Sequence, residues 1–185
     1  EAKGIAFDVI TDEDLHDEGA ALLKPYRVVL TGSHPEYHTL QTLDALMDYA
    51  HRGEGRLMYL GGNGFYWRIA VTQTLPGVME LRRSEGGIRA WAAEPGEYWH
   101  QTDGAYGGLW RRARRPPRML GGVGFSGQGK FEGTHYRLRP EAREPEHAWI
   151  FEGVTGETFG DYGLSGGGAA GFELDRADFA LGSPA

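Results

Sequence analysis

Apolar residues recur along this chain with two different periods. Val28, Val29 and Leu30 form a short apolar run closed by Thr31-Gly32-Ser33, and Leu57, Met58, Tyr59 and Leu60 form a second closed by Gly61-Gly62-Asn63-Gly64. Runs of that length bounded by turn residues predict buried strands. Between them Leu40, Leu43, Leu46, Met47 and Ala50 repeat at three- and four-residue spacing, the mark of one apolar helical face, and Gly53 stands where a helix C-cap belongs. Strand, helix and strand make a βαβ unit. Parallel strands joined by a right-handed crossover end on the same sheet edge, so the His34-Pro35-Glu36-Tyr37 turn and the Gly61 to Gly64 turn are expected to face one crevice.

Elsewhere the pattern is shorter. Ile5 to Ile10 predicts an earlier strand ended by Thr11-Asp12, Asp14 to Leu23 a short acidic helix, and Val78 to Arg82 a strand that leads through Ser84 to Gly87 into Ile88 to Trp91. After Glu94-Pro95-Gly96 the periodicity fades. Residues from about 95 to 133, with several aromatics, paired glycines and the basic run Arg111 to Arg118, read as a long insertion. Thr134 to Leu138 and Ala148 to Phe151 predict two more strands, and Gly160 to Gly171 a loop.

Composition narrows the class. With 185 residues of which 40% are hydrophobic, the chain can bury the core of one α/β domain, residues 1–185. Its 30 glycines are scattered without a collagen period. A formal net charge of -7 argues against a nucleic-acid partner, since phosphate binding rests on Lys and Arg. The arginine run then reads as a solvated helix end or a subunit contact. No run is long enough for a membrane span. The absence of cysteine removes disulfides, thiolate metal sites and a Cys nucleophile, and is compatible with a reducing, cytoplasmic setting. The opening Glu1-Ala2-Lys3 without an apolar signal region suggests a piece of a longer polypeptide.

Candidate chemistry gathers at the two turns. His34 and Glu36 pair a borderline and a hard metal ligand on a turn stiffened by Pro35, a pattern that suits a metal site and equally suits ordinary helix capping. The turn Gly61 to Gly64 has the layout of a nucleophile elbow, but Asn63 occupies the nucleophile's place, and an amide is no nucleophile. Asn63 either orients a substrate or stabilises an oxyanion, or it merely tolerates left-handed backbone. The glycines lack a phosphate-loop Lys-Ser/Thr and the G-x-G-x-x-G spacing. The acids Asp12, Glu13, Asp14, Asp17 and Glu18 read either as a cation site or as a solvated helix start.

Three stretches together resemble one family. Thr31-Gly32-Ser33-His34-Pro35-Glu36-Tyr37, then Leu57 to Trp67, then Gly166-Gly167-Gly168-Ala169-Ala170-Gly171-Phe172-Glu173-Leu174-Asp175-Arg176, are similar to the C-terminal part of the large subunit of N,N-dimethylformamidases. That resemblance implies a class I glutamine amidotransferase-like (flavodoxin-like) fold, a three-layer sandwich with a mainly parallel central sheet. It implies hydrolysis of small N-substituted formamides at a mononuclear Fe(III) held by two tyrosines and one glutamate. On the matching motifs Glu36 falls on the glutamate ligand, with His34, Asn63 and Glu173 at surrounding active-site positions. The tyrosine ligands belong upstream of the His-Pro-Glu turn, so the 185 residues alone are expected to be metal-free or weakly loaded, and inactive. A small partner subunit and self-association are further implications. The competing expectation is a non-catalytic amidotransferase-like binding or assembly domain.

Overall fold

A computed structural model describes residues 4–53, 55–83, 94–162 and 167–183. The chain divides into two compact units, Glu1–Phe125 with Asp175–Ala185, and Ser126–Leu174. The predicted segment from Ser84 to Trp91 lies outside the described residues, as does part of the glycine-rich loop before Phe172.

The larger unit is built around one helix. Helix α1 (Asp12–Glu18) starts on a capping box, in which Thr11 Oγ1 accepts the Asp14 amide at 3.1 Å while the Thr11 amide donates to Asp14 at 2.9 Å. Its first-turn acids Asp12, Glu13 and Asp14 complement the helix dipole. Gly19, at φ 64°, ends it and leads into α2 (Ala20–Leu23). Strand β1 (Val28–Leu30) and the two-residue β2 (Tyr37–His38) precede α3 (Leu40–His51), whose N-cap Thr39 accepts the Thr42 amide at 3.2 Å. Gly53, at φ 73°, turns the chain after α3 toward β3 (Arg56–Met58). Helix α3 buries Leu43, Ala45, Leu46 and Tyr49 against Leu15, Leu23, Phe65 and Trp110. Burying each large apolar side chain contributes about 1.5–3 kcal/mol.

Strand β4 (Trp67–Val71) organises the second half of this unit. It pairs in parallel with β2 and antiparallel with β5 (Met79–Leu81) and β6 (Gly108–Leu109), which encloses Trp67 on both sides. The middle of the expected insertion is thus woven in, since it supplies β6 and the buried Trp110. Short helix α4 (Arg118–Gly121) and strand β7 (Gly124–Gln128) follow. On β5, the Glu80 carboxylate gathers donors from three residues. One oxygen accepts from Arg82 at 2.7 Å and the Gln101 amide at 3.0 Å, the other from the Thr102 amide at 3.0 Å and hydroxyl at 2.8 Å. Burial pushes its pKa up, but these donors outweigh it and hold the carboxyl at about 2.

The smaller unit is held by short pairings. Strand β8 (Tyr136–Arg137) runs antiparallel to β9 (Thr158–Phe159), Tyr136 stacks on Phe159 with ring centres 5.4 Å apart, and Thr134 bridges Ala170. Gly168 is obligatory there, because a Cβ would lie 2.0 Å from the Thr134 carbonyl oxygen. Strand β10 (Glu173–Arg176) pairs with β7.

The expected flavodoxin-like, class I amidotransferase-like sandwich is not what forms. Among the described residues the strands fall into four small sheets: the parallel pair β1–β3, the mixed sheet around β4, and the two-stranded sheets β8–β9 and β7–β10. The reason lies in burial. Strands of a parallel central sheet are covered on both faces, yet in β1 and β3 only Val29 and Leu57 turn inward, while Val28, Leu30 and Met58 are 51%, 61% and 42% exposed. The stretch Ile5 to Ile10 forms no described strand, and Ala148–Phe151 is a 3-10 helix rather than a strand. No described helix is long and apolar enough to cross a membrane.

Candidate functional site

The two turns singled out by sequence run side by side. Strands β1 and β3 pair with Val28 opposite Arg56 and Leu30 opposite Met58, and the Thr31 amide extends the ladder to the Met58 carbonyl at 3.1 Å. Beyond that point both strands break into turns that stay bonded to each other. The Gly62 amide donates to the Ser33 carbonyl at 3.0 Å, the Phe65 amide to Pro35 at 2.7 Å, and the Tyr66 and Trp67 amides to Glu36 at 3.0 and 2.8 Å. These bonds lead directly into the parallel pairing of β2 with β4. The backbone of His34-Pro35-Glu36 is therefore a template for the backbone of the glycine turn. Gly61 is required by the closeness of the two, for its Cβ would fall 2.3 Å from the Ser33 carbonyl oxygen.

Conformational strain concentrates at the same place. Asn63 and Phe65 have φ of 54° and 58°, left-handed values that are unusual for residues other than glycine. Phe65 is fully buried and tolerates this because its ring packs between His38 and Tyr59, with ring centres 5.2 and 5.4 Å away. His38 is buried too. Its Nε2–H donates to the Pro35 carbonyl at 2.9 Å, which only accepts, and its Nδ1 faces the Thr42 hydroxyl at 3.3 Å. Burial lowers its pKa against the opposing pull of Asp12 and the Pro35 carbonyl, so His38 is a neutral prop.

Three of the four singled-out residues belong to this paired turn. Glu36 and Asn63 are half-buried on it, and His34 is exposed with Nε2 3.6 Å from where a Cβ on Gly62 would stand. Glu173 opens β10 in the smaller unit, with an exposed side chain. His38 and Tyr59 escaped the sequence reading: the first looks like any lone histidine, and the second like one more apolar strand residue.

The carboxylate and imidazole donors here are few. A hard trivalent ion needs several oxygen ligands, and no three His, Asp or Glu side chains converge among the described residues. Glu36 offers one carboxylate.

The arginine run divides: Arg111, Arg112 and Arg114 are exposed at the end of the 3-10 helix Trp110–Ala113, the expected solvated end, whereas Arg115 and Arg118 turn inward. Arg115 pairs with Asp44 and lies over the Trp110 ring, 5.9 Å from its centre, and buried Arg118 donates to the Arg176 and Gly124 carbonyls at 3.1 and 3.2 Å. Arg111 and Arg112 line an open cleft of about 440 Å³ whose wall includes Tyr66 and Phe125.

Comparison with known proteins gives a consistent result. The family described as N,N-dimethylformamidase beta subunit-like, C-terminal, matches residues 1–185. The N,N-dimethylformamidase beta subunit of Alcaligenes sp is 48% identical over 182 residues, and that of Paracoccus aminophilus 46%, each match covering 98% of this chain. The chain spans 24% of the length of either relative.

Proposed function

Since the chain belongs to the N,N-dimethylformamidase beta subunit family and corresponds to its C-terminal region, we propose that it carries part of the active site of an amidohydrolase acting on small N-substituted formamides. The observation that supports this reading is the strained glycine turn templated on the His-Pro-Glu backbone, which presents an amide side chain, Asn63, from an over-determined position. Left-handed non-glycine residues held this firmly are characteristic of sites where geometry matters.

In the proposed reaction water adds across the C–N bond. The formyl carbon gains the hydroxyl, the nitrogen gains a proton, and a carboxylate and an amine leave. The Asn63 amide donates to the carbonyl oxygen as negative charge builds on it. Glu173, or failing it His34, takes the proton from the attacking water and returns it to the departing nitrogen. The role of Glu173 rests on the family resemblance alone. Iron is proposed as a property of the longer protein, with Glu36 the carboxylate this region contributes and the remaining ligands supplied from outside it. A small partner subunit and self-association are proposed on the same basis, the relatives being named as beta subunits.

The test is turnover by the full-length protein. Incubation with N,N-dimethylformamide should release formate and dimethylamine in equal amounts, and elemental analysis should find iron. Purified full-length protein that carries iron and releases neither product would overturn the proposed substrate class.

A further inference from the structure

We infer that Tyr59 is a positioning residue for Asn63, holding the left-handed turn in place through the amide of Gly64; its bearing on turnover rests on the function proposed above, whereas the clamp itself does not.

The geometry is specific. Tyr59 follows β3, and its hydroxyl accepts the Gly64 amide at 2.9 Å while donating to Asp175 Oδ2 at 2.9 Å. Gly64 is the residue between the two left-handed positions, Asn63 and Phe65. On the outer side of the turn the carbonyls of Ser33, Pro35 and Glu36 take the amides of Gly62, Phe65, Tyr66 and Trp67. The Gly64 amide is not among those the template takes, and the Tyr59 hydroxyl receives it instead. Without this acceptor a buried amide next to Asn63 would lack a partner, a condition that costs about 1–3 kcal/mol and that the turn would relieve by rotating.

Steric fit supports the same role. A Cβ on Gly64 would sit 2.7 Å from Tyr59 Cε2, and one on Gly121 would sit 2.9 Å from Cδ1, so the ring fills the space between two glycines. The phenol also keeps its proton across ordinary pH, because burial pushes its pKa well up, with the Asp175 carboxylate adding to that and the Gly64 amide opposing it. It can therefore donate to Asp175 and accept from Gly64 at once. The pairing gives the turn an anchor outside its own stretch of chain.

The test uses the full-length protein and Tyr59→Phe, which keeps the ring and deletes the two hydrogen bonds. We expect exchange of the Gly64 amide to speed up at least tenfold, and kcat to fall about tenfold with KM changed less than twofold. Asp175→Asn, which still offers the phenol an oxygen acceptor, should stay within threefold of wild type in kcat, whereas Asp175→Leu should approach Tyr59→Phe. A residue that serves stability alone would lower the melting temperature and leave kcat unchanged well below it. Unchanged Gly64 exchange in Tyr59→Phe overturns the clamp. Faster exchange with unchanged kcat overturns the positioning of Asn63. If the wild-type protein hydrolyses no formamide, the functional proposal fails while the exchange measurement still decides the clamp.

Discussion

The paired turns around Asn63 and the knot around Glu80 solve opposite problems with similar parts. Both are polar, and both are tied to distant backbone. At Glu80 four donors converge on one carboxylate with nothing strained, and they outweigh the burial that disfavours its charge, the side chain being only 12% exposed. At the turn the backbone bonds hold two residues in conformations they would not choose. The first arrangement lowers the free energy of the fold. The second uses some of that stability to keep an amide side chain fixed, the trade between strain and function expected at a working site.

That contrast is open to experiment, and the turn should give the larger effects. In the full-length protein Glu36→Gln is expected to remove bound iron and reduce turnover below detection without changing the fold, as read by metal analysis and circular dichroism. Retention of iron would remove Glu36 as a ligand. Glu173→Gln should keep fold and iron and cost about two to four orders of magnitude in kcat, the usual contribution of a general base. Near-normal turnover would transfer that role to His34. Asn63→Gly separates two readings of one residue, because glycine adopts positive φ freely. If Asn63 only tolerates the backbone, kcat is unchanged and the protein is slightly more stable; if its amide stabilises the oxyanion, kcat falls about 10²–10³-fold.

The Glu80 knot should respond in the opposite currency. Glu80→Gln is expected to lower stability by about 2–3 kcal/mol in urea melts and to leave kcat at 25 °C within twofold of wild type. The pH dependence follows in sign. The folded carboxyl titrates at about 2, below its ordinary 4.5, so its stabilisation is complete above pH 4.5 and is lost progressively as pH falls toward 2. Wild type and Glu80→Gln should therefore converge in stability over that window. Divergence there would mean that the knot is not held by its charge.

The sequence makes some of this legible and hides the rest for physical reasons. Strand β1, helix α3 and strand β3 follow from periodicity, and the closeness of the two turns follows from their parallel pairing. The extent of the sheet does not follow. A run such as Val28-Val29-Leu30 reads the same whether a strand is covered on one face or two, and only Val29 is inward here. Strand β2 is two residues inside a turn motif, too short for any period to register. The single histidine His38 carries no spacing signal, although it props the strained ring of Phe65. His34, Glu36 and Asn63 are readable because they crowd into two turns, while the partnership of Tyr59 with Asp175 links positions that no local pattern connects.

That last link also sets a schedule. Tyr59 and Asp175 are 116 positions apart, and at about 5–20 residues per second the ribosome needs roughly 6–23 s to travel from one to the other. Strand β1, helix α3 and strand β3 leave the exit tunnel close together and can assemble during that interval. The glycine turn acquires its inner anchor only after those 116 positions have been made. The backbone template of Ser33 to Glu36 is thus available to the turn long before Asp175, the acceptor of the Tyr59 hydroxyl, has been made.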